Sequence, residues 1–411
     1  MSSITINYFF PGNAMAGFLL FASLMANAQT TCPTPAKKYS LDTIGSVAQY
    51  TEVVSSRKLA DEHYCYTIIA NVNVVDVEQG ITLAGRYVVL DHDRIRKITD
   101  NKDSIPKFPK NKCVLYVEGS GKYLSPGLCD MHVHYGCMAG ERFAYLLNGV
   151  TTVRNAGGTQ FHREEQLLLE RNRLLGPDLL TTTTAITKYN YPKLDSLMTV
   201  PGWIYFNYNS VEKIDSVLMR IAGTNCKISV DLIGTHPKTG FPNGTVFERT
   251  SESTELLLQR NDPGFWYISR FYHPNTDLVT SIQPGFADQV KQRISQFCIG
   301  SETGSENVRY GQPGELVLHE MRFLEEAGVA RADVIRVATL NAGRMGQNFS
   351  PVPFGLIKEG YRANLILLSG DPFQDLGNFK KITGLFSRGS WISGADMVEM
   401  RKFLHLPEWN R

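Results

Sequence analysis

Runs of apolar residues near both ends of the chain predict β-strands. Residues 66–76, 86–95 and 113–118 are rich in Val, Ile, Leu and Tyr, and turn-like polar residues separate them. Two similar runs, at residues 363–368 and 384–392, follow near the carboxyl end. The pattern therefore predicts strands near both ends of the chain, and the long segment between them has a different pattern of apolar residues.

The middle of the chain alternates between strand-like and helix-like stretches. Apolar residues recur at helical spacing in residues 163–175, 315–327 and 332–339. Residues 226–232 form a short apolar run that is typical of a strand, and the aromatic cluster at residues 203–208 is interpreted as core or as a lid. Alternation of strands and helices predicts a parallel α/β sheet, here a barrel.

Length and composition are those of an ordinary globular protein. A chain of 411 residues predicts one large domain with a satellite, or two domains. A hydrophobic content of 43% is sufficient for a real core. The 42 basic and 40 acidic residues leave a net charge of +2, which gives no electrostatic reason to expect a nucleic acid or a membrane surface as partner.

The amino-terminal region predicts export. Residues 16–28 form a short apolar run that ends in Ala26-Asn27-Ala28, as in a signal peptide with a small-residue cleavage site. Residues 1–28 are therefore predicted to be removed, and the mature protein is expected in the periplasm or outside the cell. The region before the run lacks Lys and Arg, so a buried amino-terminal helix is the alternative. The run is too short to span a bilayer comfortably, and no stable membrane insertion is expected.

The cysteines do not predict a metal site. None of the seven forms a C-x-x-C pair, so a cysteine zinc site is not expected. Several lie in apolar runs and are predicted to be buried thiols. Cys32 and Cys65 could form a disulfide, although sequence alone does not fix the pairing.

Residues 121–134 contain the clearest candidate for chemistry. Pro126-Gly127 marks a break in regular structure just before a predicted strand. The apolar run of that strand ends in Asp130 and is followed by His132 and His134. On a strand, residues two apart point to the same side, so both imidazoles can reach one divalent metal. Two ordinary surface or core histidines are the alternative. A hydrolytic metal site needs neutral histidines, carboxylates and an open position for water.

Residues 121–134 as a whole resemble the first metal-binding strand of the amidohydrolase superfamily, the metal-dependent hydrolases on a distorted TIM barrel. Residues 148–158 resemble the second barrel strand, with Asn155 where Asp is usual, and residues 299–304 resemble the eighth. Residues 362–372 resemble the return to the family's small β-domain. These segments follow in the family's order, and the likeness is closest to the imidazolonepropionase and Xaa-Pro/Xaa-Arg dipeptidase-like branch.

The resemblance implies an α/β fold with a TIM-like (β/α) barrel and a small β-sandwich domain built from both chain ends. Residues 29–63 would form a linker, residues 127–349 the barrel, and residues 64–126 and 350–411 the two parts of the sandwich. Only 75 residues separate Lys227 from Glu302. Because each βα unit needs about 30 residues, a shortened or missing unit is expected in the middle of the barrel.

The resemblance also implies a set of metal ligands. His132 and His134 match the family's first-strand ligands. Lys227 stands where a strand-four lysine, often carbamylated, bridges two metals; a plain strand-edge lysine is the alternative. Glu302 stands where the family's strand-eight Asp binds metal and serves as the base, and its side chain is one methylene longer.

Histidines from strands five and six complete the family's site, and the two candidates here lack the usual flanking residues. His273 is the better candidate because it follows a strand-like run, whereas His236 lies in a turn-like sequence. Arg154 ends a predicted barrel strand and could hold a substrate carboxylate in a bidentate pair, with a structural salt bridge as the alternative.

The resemblance therefore implies a hydrolase with one or two zinc ions, or another divalent metal, that cleaves a carbon–nitrogen bond in a dipeptide or another small molecule. Glu302 would act as the base. A catalytically degenerate barrel kept as a binding or scaffold protein is the main alternative, and an incomplete gene product that folds poorly is the third. Assembly into a homo-oligomer is left open.

Overall fold

The computed structural model describes residues 64–109, 113–136, 139–182, 291–301, 303–304, 312–347 and 350–404, together with Asp288 and four short strands between residues 203 and 268. The predicted signal peptide and most of the linker lie outside these residues. Within them, no helix combines the length and the apolar character needed to cross a bilayer.

The described strands are numbered in chain order. They are β1 (Tyr64–Asp76), β2 (Ile81–Asp91), β3 (Arg94–Thr99), β4 (Cys113–Glu118), β5 (Tyr123–Pro126), β6 (Leu128–His134), β7 (Val150–Asn155), β8 (Asp178–Thr181), β9 (Trp203–Asn207), β10 (Lys227–Asp231), β11 (Val246–Glu248), β12 (Phe265–Ile268), β13 (Phe297–Ile299), β14 (Thr303–Gly304), β15 (Leu365–Leu368), β16 (Ile382–Ser387) and β17 (Ser390–Ser393).

The described α-helices are numbered in the same way. They are α1 (Ala139–Leu147), α2 (Gln160–Glu170), α3 (Glu315–Glu326), α4 (Arg331–Val337), α5 (Leu340–Gly346) and α6 (Gly394–Phe403). The helices predicted at residues 315–327 and 332–339 are confirmed as α3 and α4, and the helix predicted at residues 163–175 begins and ends earlier, as α2.

Strands from both ends of the chain form one mixed sheet. Its order is β17-β16-β15-β5-β1-β2-β3, and β4 also pairs with β1. β1 is long enough to pair in parallel with β4 along its first half and with β5 near its end. The pairing thus joins residues near the amino end to residues near the carboxyl end, as the resemblance implied, whereas the sandwich itself stays a prediction.

The strand predicted at residues 86–95 is in fact parts of two strands. β2 and β3 form an antiparallel hairpin in which Asp91 pairs with Arg94 across a two-residue loop. His92 in that loop has φ of 52°, in the left-handed region, which few residues other than glycine adopt.

Among the described residues, eight strands follow one another from β6 to β13, and they form two sets whose members pair in parallel. β6, β7 and β8 pair in chain order, with β14 on the other edge of β6, and β9 to β13 pair in chain order in a second sheet. β13 lies beside β6, so the eighth strand neighbours the first. The fold is therefore α/β with a TIM-barrel-like core, as predicted, and full closure of the barrel stays a prediction.

The prediction that Lys227 lies on the fourth barrel strand was wrong. The aromatic cluster interpreted as core or lid forms β9, so Lys227 begins the fifth parallel strand. The interval before Glu302 was predicted to hold a shortened or missing unit; β11, β12 and β13 all follow β10 there, so the described strands favour shortening over loss of a unit. The interval suffices because these strands are only three or four residues long.

A buried ion cluster joins the parallel strands to the mixed sheet. Asp178, at the start of β8, accepts a hydrogen bond from Arg388 at 3.0 Å and one from Asn364 at 2.8 Å. Arg362 lies 3.3 Å from the same carboxylate and also pairs with Asp93. Arg388 and Arg362 are both buried, so Asp178, with Asp93 as a second partner of Arg362, compensates two guanidinium groups that are largely out of water.

Asp178→Asn is expected to lower the free energy of unfolding by about 3–5 kcal/mol, because it leaves two buried guanidinium groups undercompensated. Urea unfolding followed by circular dichroism measures the change. Asp288→Asn is the control, because Asp288 is exposed and its pair with Lys291 at 3.5 Å is expected to contribute less than about 1 kcal/mol. An equally small effect of Asp178→Asn would contradict the role assigned to the cluster.

Candidate functional site

β6 brings three polar side chains to its carboxyl end. Asp130, His132 and His134 alternate with Met131 and Val133 along the strand. Asp130 and His132 are buried, whereas His134 is exposed. The ring centroids of the two histidines lie 5.3 Å apart, with the ring planes inclined at 73°. The structure therefore places the two predicted ligands side by side at the end of the first parallel strand.

This arrangement of the two rings fits a shared metal. Two imidazoles that each bind a tetrahedral zinc at about 2.0–2.1 Å have ring centroids about 5 Å apart. Within the described residues, no set of three or more His, Cys, Asp or Glu side chains gathers where it could hold a metal ion. The other predicted histidine ligands, His236 and His273, and the predicted base Glu302 lie outside the residues that the structure describes.

The buried carboxylate of Asp130 binds the segment that follows the eighth parallel strand. Its Oδ1 accepts the Ser301 N–H at 2.9 Å, and its Oδ2 accepts the Ser301 hydroxyl at 2.5 Å. The His132 N–H also points to Oδ1, at 3.5 Å. Burial raises the pKa of Asp130 to about 6, although the two bonds from Ser301 oppose the shift. The residue before Glu302 is thus fixed to the histidine strand.

β14 lies directly against the end of β6. Thr303 pairs with Val133 and Gly304 with His134, both in parallel. A Cβ atom on Gly304 would lie 2.6 Å from the Cβ of His134 and 2.8 Å from its carbonyl oxygen. Because those atoms belong to the strand and cannot move freely, only glycine allows so close an approach.

A hydrogen bond from the second parallel strand fixes the residue after His134. Asn155, at the end of β7, accepts the Tyr135 N–H with its Oδ1 at 2.9 Å. Its own carbonyl oxygen accepts the hydroxyl and the N–H of Thr182, both at 3.3 Å. Asn155 is buried, and its Nδ2 donates to no group among the described residues. The side chain therefore orients the chain that leaves the histidine strand.

A buried polar network supports Tyr135 from its other side. The Tyr135 hydroxyl donates to Glu165 at 2.7 Å, and Arg142 donates to the same carboxylate oxygen at 2.9 Å. Burial, and secondly the charge of Glu165, raise the pKa of Tyr135 well above its ordinary value. Tyr135 therefore stays protonated at neutral pH and acts here as a hydrogen-bond donor.

His162 also belongs to this supporting network. Its Nδ1 accepts the Thr159 N–H at 2.9 Å, so the hydrogen of the neutral ring is on Nε2, which donates to the Tyr135 carbonyl at 2.7 Å. Both ring nitrogens are thus occupied at the start of α2. The histidine caps a helix and holds the loop after His134.

Arg154 is fully buried in β7. Its guanidinium donates to the carbonyl oxygen of Met131, which lies between Asp130 and His132, at 3.2 Å. The contact ties the second strand to the first beneath the histidines. This position favours a structural role for Arg154, and its binding of a substrate carboxylate stays a prediction.

Lys227 is the first residue of β10, so it lies at the amino end of its strand. Active sites of such barrels lie at the carboxyl ends of the strands, where Asp231 ends β10. The predicted role of Lys227 as a bridging ligand therefore gains no support from its position.

Sequence reasoning missed several residues that shape the site. Ser301 and Thr303 stand on either side of Glu302, and Tyr135 directly follows His134. One signal was available, since two hydroxyl residues flank the predicted base. Their partner, Asp130, is 171 residues away from Ser301 in the chain, so sequence spacing alone does not reveal the contact.

No protein-family model and no curated protein matches the chain. Solved structures do match. A Xaa-Pro dipeptidase with methionine bound in its active site is 15% identical, has a TM-score of 0.61, and aligns over 80% of this chain and 100% of that one. A prolidase in complex with N-methylphosphonate-L-proline is 17% identical over 80% and 99% of the two chains, with a TM-score of 0.58. An amidohydrolase is 15% identical over 80% and 99%, with a TM-score of 0.56.

The chain has the amidohydrolase fold. The structural likeness, which extends over nearly the whole length of each of these proteins, confirms the resemblance seen in residues 121–134 and 299–304 at the level of fold. Within the amidohydrolase fold, His132 and His134 lie on the first parallel strand, and the segment around Glu302 follows the eighth.

The raised pKa of Asp130 predicts a pH-dependent stability of the metal-free protein. The carboxyl has an ordinary pKa of 3.8 and a pKa of about 6 in the fold, so between these values the folded state binds a proton that the unfolded chain does not. The free energy of unfolding should therefore fall as pH rises from about 4 to 6, by about 3 kcal/mol from this group. Asp130→Asn should remove this contribution.

The measurement is urea unfolding of chelator-treated wild type and Asp130→Asn at several values between pH 4 and pH 7. The difference between the two proteins isolates Asp130 from other titrating groups. Parallel pH profiles for the two proteins would show that the pKa of Asp130 is not raised by burial.

Proposed function

We propose that the chain is a metal-dependent hydrolase that cleaves a carbon–nitrogen bond. The observation that carries the proposal is the side-by-side placement of His132 and His134 at the carboxyl end of the first parallel strand. Active sites of barrels of this type lie at that end of the strands. The fold is shared with enzymes described as a Xaa-Pro dipeptidase, a prolidase and an amidohydrolase, which supports a dipeptide or another small amide as substrate.

The residues of the chain fit a divalent metal, and zinc is the first candidate. His132 and His134 would hold it as neutral imidazoles, which are common zinc ligands. Glu302, His273 and His236 are the candidates for further ligands, and Lys227 is a weaker one because of its place in β10. A bound divalent metal would supply a water activated for attack at neutral pH.

Glu302 would act as the base. It would take a proton from the attacking water and deliver it to the leaving nitrogen, which departs as an amine. Both neighbours of Glu302 are attached to β6, the strand that carries the histidines. Ser301 donates a hydrogen bond to Asp130, and Thr303 pairs with Val133. That attachment supports the assignment, because a base must lie within reach of the water that the metal-binding residues orient.

A second candidate function is binding without catalysis. The sequences of β9, β10, β11 and β12, the fourth to seventh parallel strands, contain no histidine. A barrel that has lost these ligands could keep a small-molecule site and lose hydrolysis. The exported location predicted from residues 1–28 is compatible with either function.

Zinc should bind at about one or two equivalents per chain and should be lost when both first-strand histidines are removed. The test is elemental analysis of wild type and of the His132→Ala/His134→Ala double variant after incubation with zinc and bicarbonate. His319→Ala is the control, because His319 is exposed on α3 and should leave the metal content unchanged. A folded wild type that binds no metal would exclude the hydrolase and leave the binding function.

Glu302→Gln should lower kcat by about a hundredfold or more, because the amide cannot accept the proton and a general base typically contributes that much. Glu302→Asp, which keeps the carboxylate but shortens it by one methylene, should retain more activity. The measurement is hydrolysis of a panel of Xaa-Pro and other dipeptides by the zinc-loaded proteins. Equal activity of wild type and Glu302→Gln would remove Glu302 from the role of base.

A further inference from the structure

We propose that Asp130, Ser301 and Thr303 form a hydroxyl clamp, a positioning device that holds the segment around Glu302 against the strand that carries His132 and His134. The inference deepens the proposed function and rests on it. Ser301 is hydrogen-bonded to both Asp130 and Thr303, and all three residues are buried. None of them is proposed to touch the substrate or the metal.

The hydrogen bonds of the clamp run in one direction. A carboxylate only accepts hydrogen bonds, so the Ser301 hydroxyl uses its single hydrogen for Asp130, at 2.5 Å. The Ser301 oxygen can then only accept, and the Thr303 hydroxyl at 2.5 Å must donate to it. The Thr303 N–H donates to the same oxygen at 3.2 Å. The Ser301 hydroxyl thus donates one bond and accepts two, which uses its full capacity.

Burial makes this chain of bonds effective. Asp130 is 0%, Ser301 1% and Thr303 2% exposed, so water does not compete for the bonds. Hydrogen bonds to a charged group are shorter and stronger than those between neutral groups, and a low local dielectric strengthens them further. The bonds therefore stiffen the backbone on both sides of position 302.

The clamp also sets the distance between the two strand ends. Thr303 pairs with Val133, and Gly304 pairs with His134 at a separation that leaves no space for a Cβ atom. Asp130 fixes the residue before Glu302, and this pairing fixes the two residues after it. Ser301 before Glu302, and Thr303 and Gly304 after it, are therefore each fixed to the strand that carries the two histidines.

Such positioning matters more here than for an aspartate base. A longer side chain has one more rotatable bond, and a misplacement of about 1 Å can reduce the rate about a hundredfold. Bonds that fix Ser301 and Thr303 would limit the backbone displacements that add to this side-chain freedom, without any contact to the Glu302 side chain itself. Loss of a clamp hydroxyl should therefore lower kcat and disturb the metal site, and leave KM nearly unchanged.

Two pairs of variants separate positioning from stability. Thr303→Val removes one clamp hydroxyl and keeps the shape of the side chain, whereas Thr303→Ser keeps the hydroxyl. Ser301→Ala removes the central hydroxyl. Ser387→Ala removes another fully buried serine hydroxyl, which donates to the Gly176 carbonyl at 2.7 Å in a different part of the fold, and serves as its matched control.

The readouts are the visible absorption spectrum of the protein loaded with cobalt(II) in place of zinc, the cobalt dissociation constant, kcat and KM on a dipeptide, and the melting temperature. Ser301→Ala and Thr303→Val are expected to change the cobalt spectrum, to weaken cobalt binding about tenfold or more, and to lower kcat more than tenfold with KM within about twofold. Thr303→Ser and Ser387→Ala should keep the wild-type spectrum and kcat, even where the melting temperature falls by several degrees.

The outcomes are distinguishable. If wild type binds cobalt but Ser301→Ala and Thr303→Val match Ser387→Ala in spectrum, affinity and kcat, the clamp is merely structural and only this inference fails. If wild type binds no cobalt and hydrolyses nothing, the proposed function fails and the inference fails with it. If Ser301→Ala does not fold, the comparison of Thr303→Val with Thr303→Ser is sufficient to decide whether the clamp hydroxyl positions the metal site.

Discussion

The buried carboxylate of Asp130 is the constraint on which the candidate site depends. A carboxylate that is removed from water is stable only when donors surround it, and here Ser301 supplies both its N–H and its hydroxyl. Those donors belong to the segment after the eighth parallel strand, while Asp130 belongs to the first. Satisfying one charge therefore brings together two parts of the chain that each carry a candidate catalytic side chain. The cost is a pKa raised to about 6, which shows that the two bonds from Ser301 do not fully offset desolvation.

Most of the polar residues around the histidines serve to hold the backbone in place. Arg154 donates to a strand carbonyl, Asn155 accepts the N–H of Tyr135, and His162 joins a helix start to the same residue. Each of these residue types also occurs in active sites, yet here their burial and their partners assign them to support. At the other end of the strands, Asp178 compensates buried arginines from the mixed sheet. The Asp178 ion cluster and the paired histidines thus lie at opposite ends of the parallel strands.

Fold and function are linked here through a small number of side chains. Identity of 15–17% to the matching structures is enough to show the amidohydrolase fold and too low to carry an activity across. The proposed hydrolysis therefore depends on the paired histidines, the geometry of the strand ends and the segment around Glu302. Of the two departures from the family pattern, Asn155 makes one of the contacts that fix these strand ends, and Glu302 stands in the sequence between Ser301 and Thr303, which make others. In the case of Asn155, the neutral amide still performs the orienting hydrogen bond that its position requires.

Sequence pattern was sufficient to predict the parts of the protein that local interactions control. Alternation of apolar runs predicted an α/β fold with strands from both chain ends, and the spacing of His132 and His134 predicted that both rings point to one side of a strand. It failed where the pattern was too short or ambiguous, as in the aromatic segment that forms β9 and shifts Lys227 to the fifth strand. The contact between Asp130 and Ser301 could be seen only in the folded chain, because it joins residues far apart in the sequence and depends on which strand ends become neighbours.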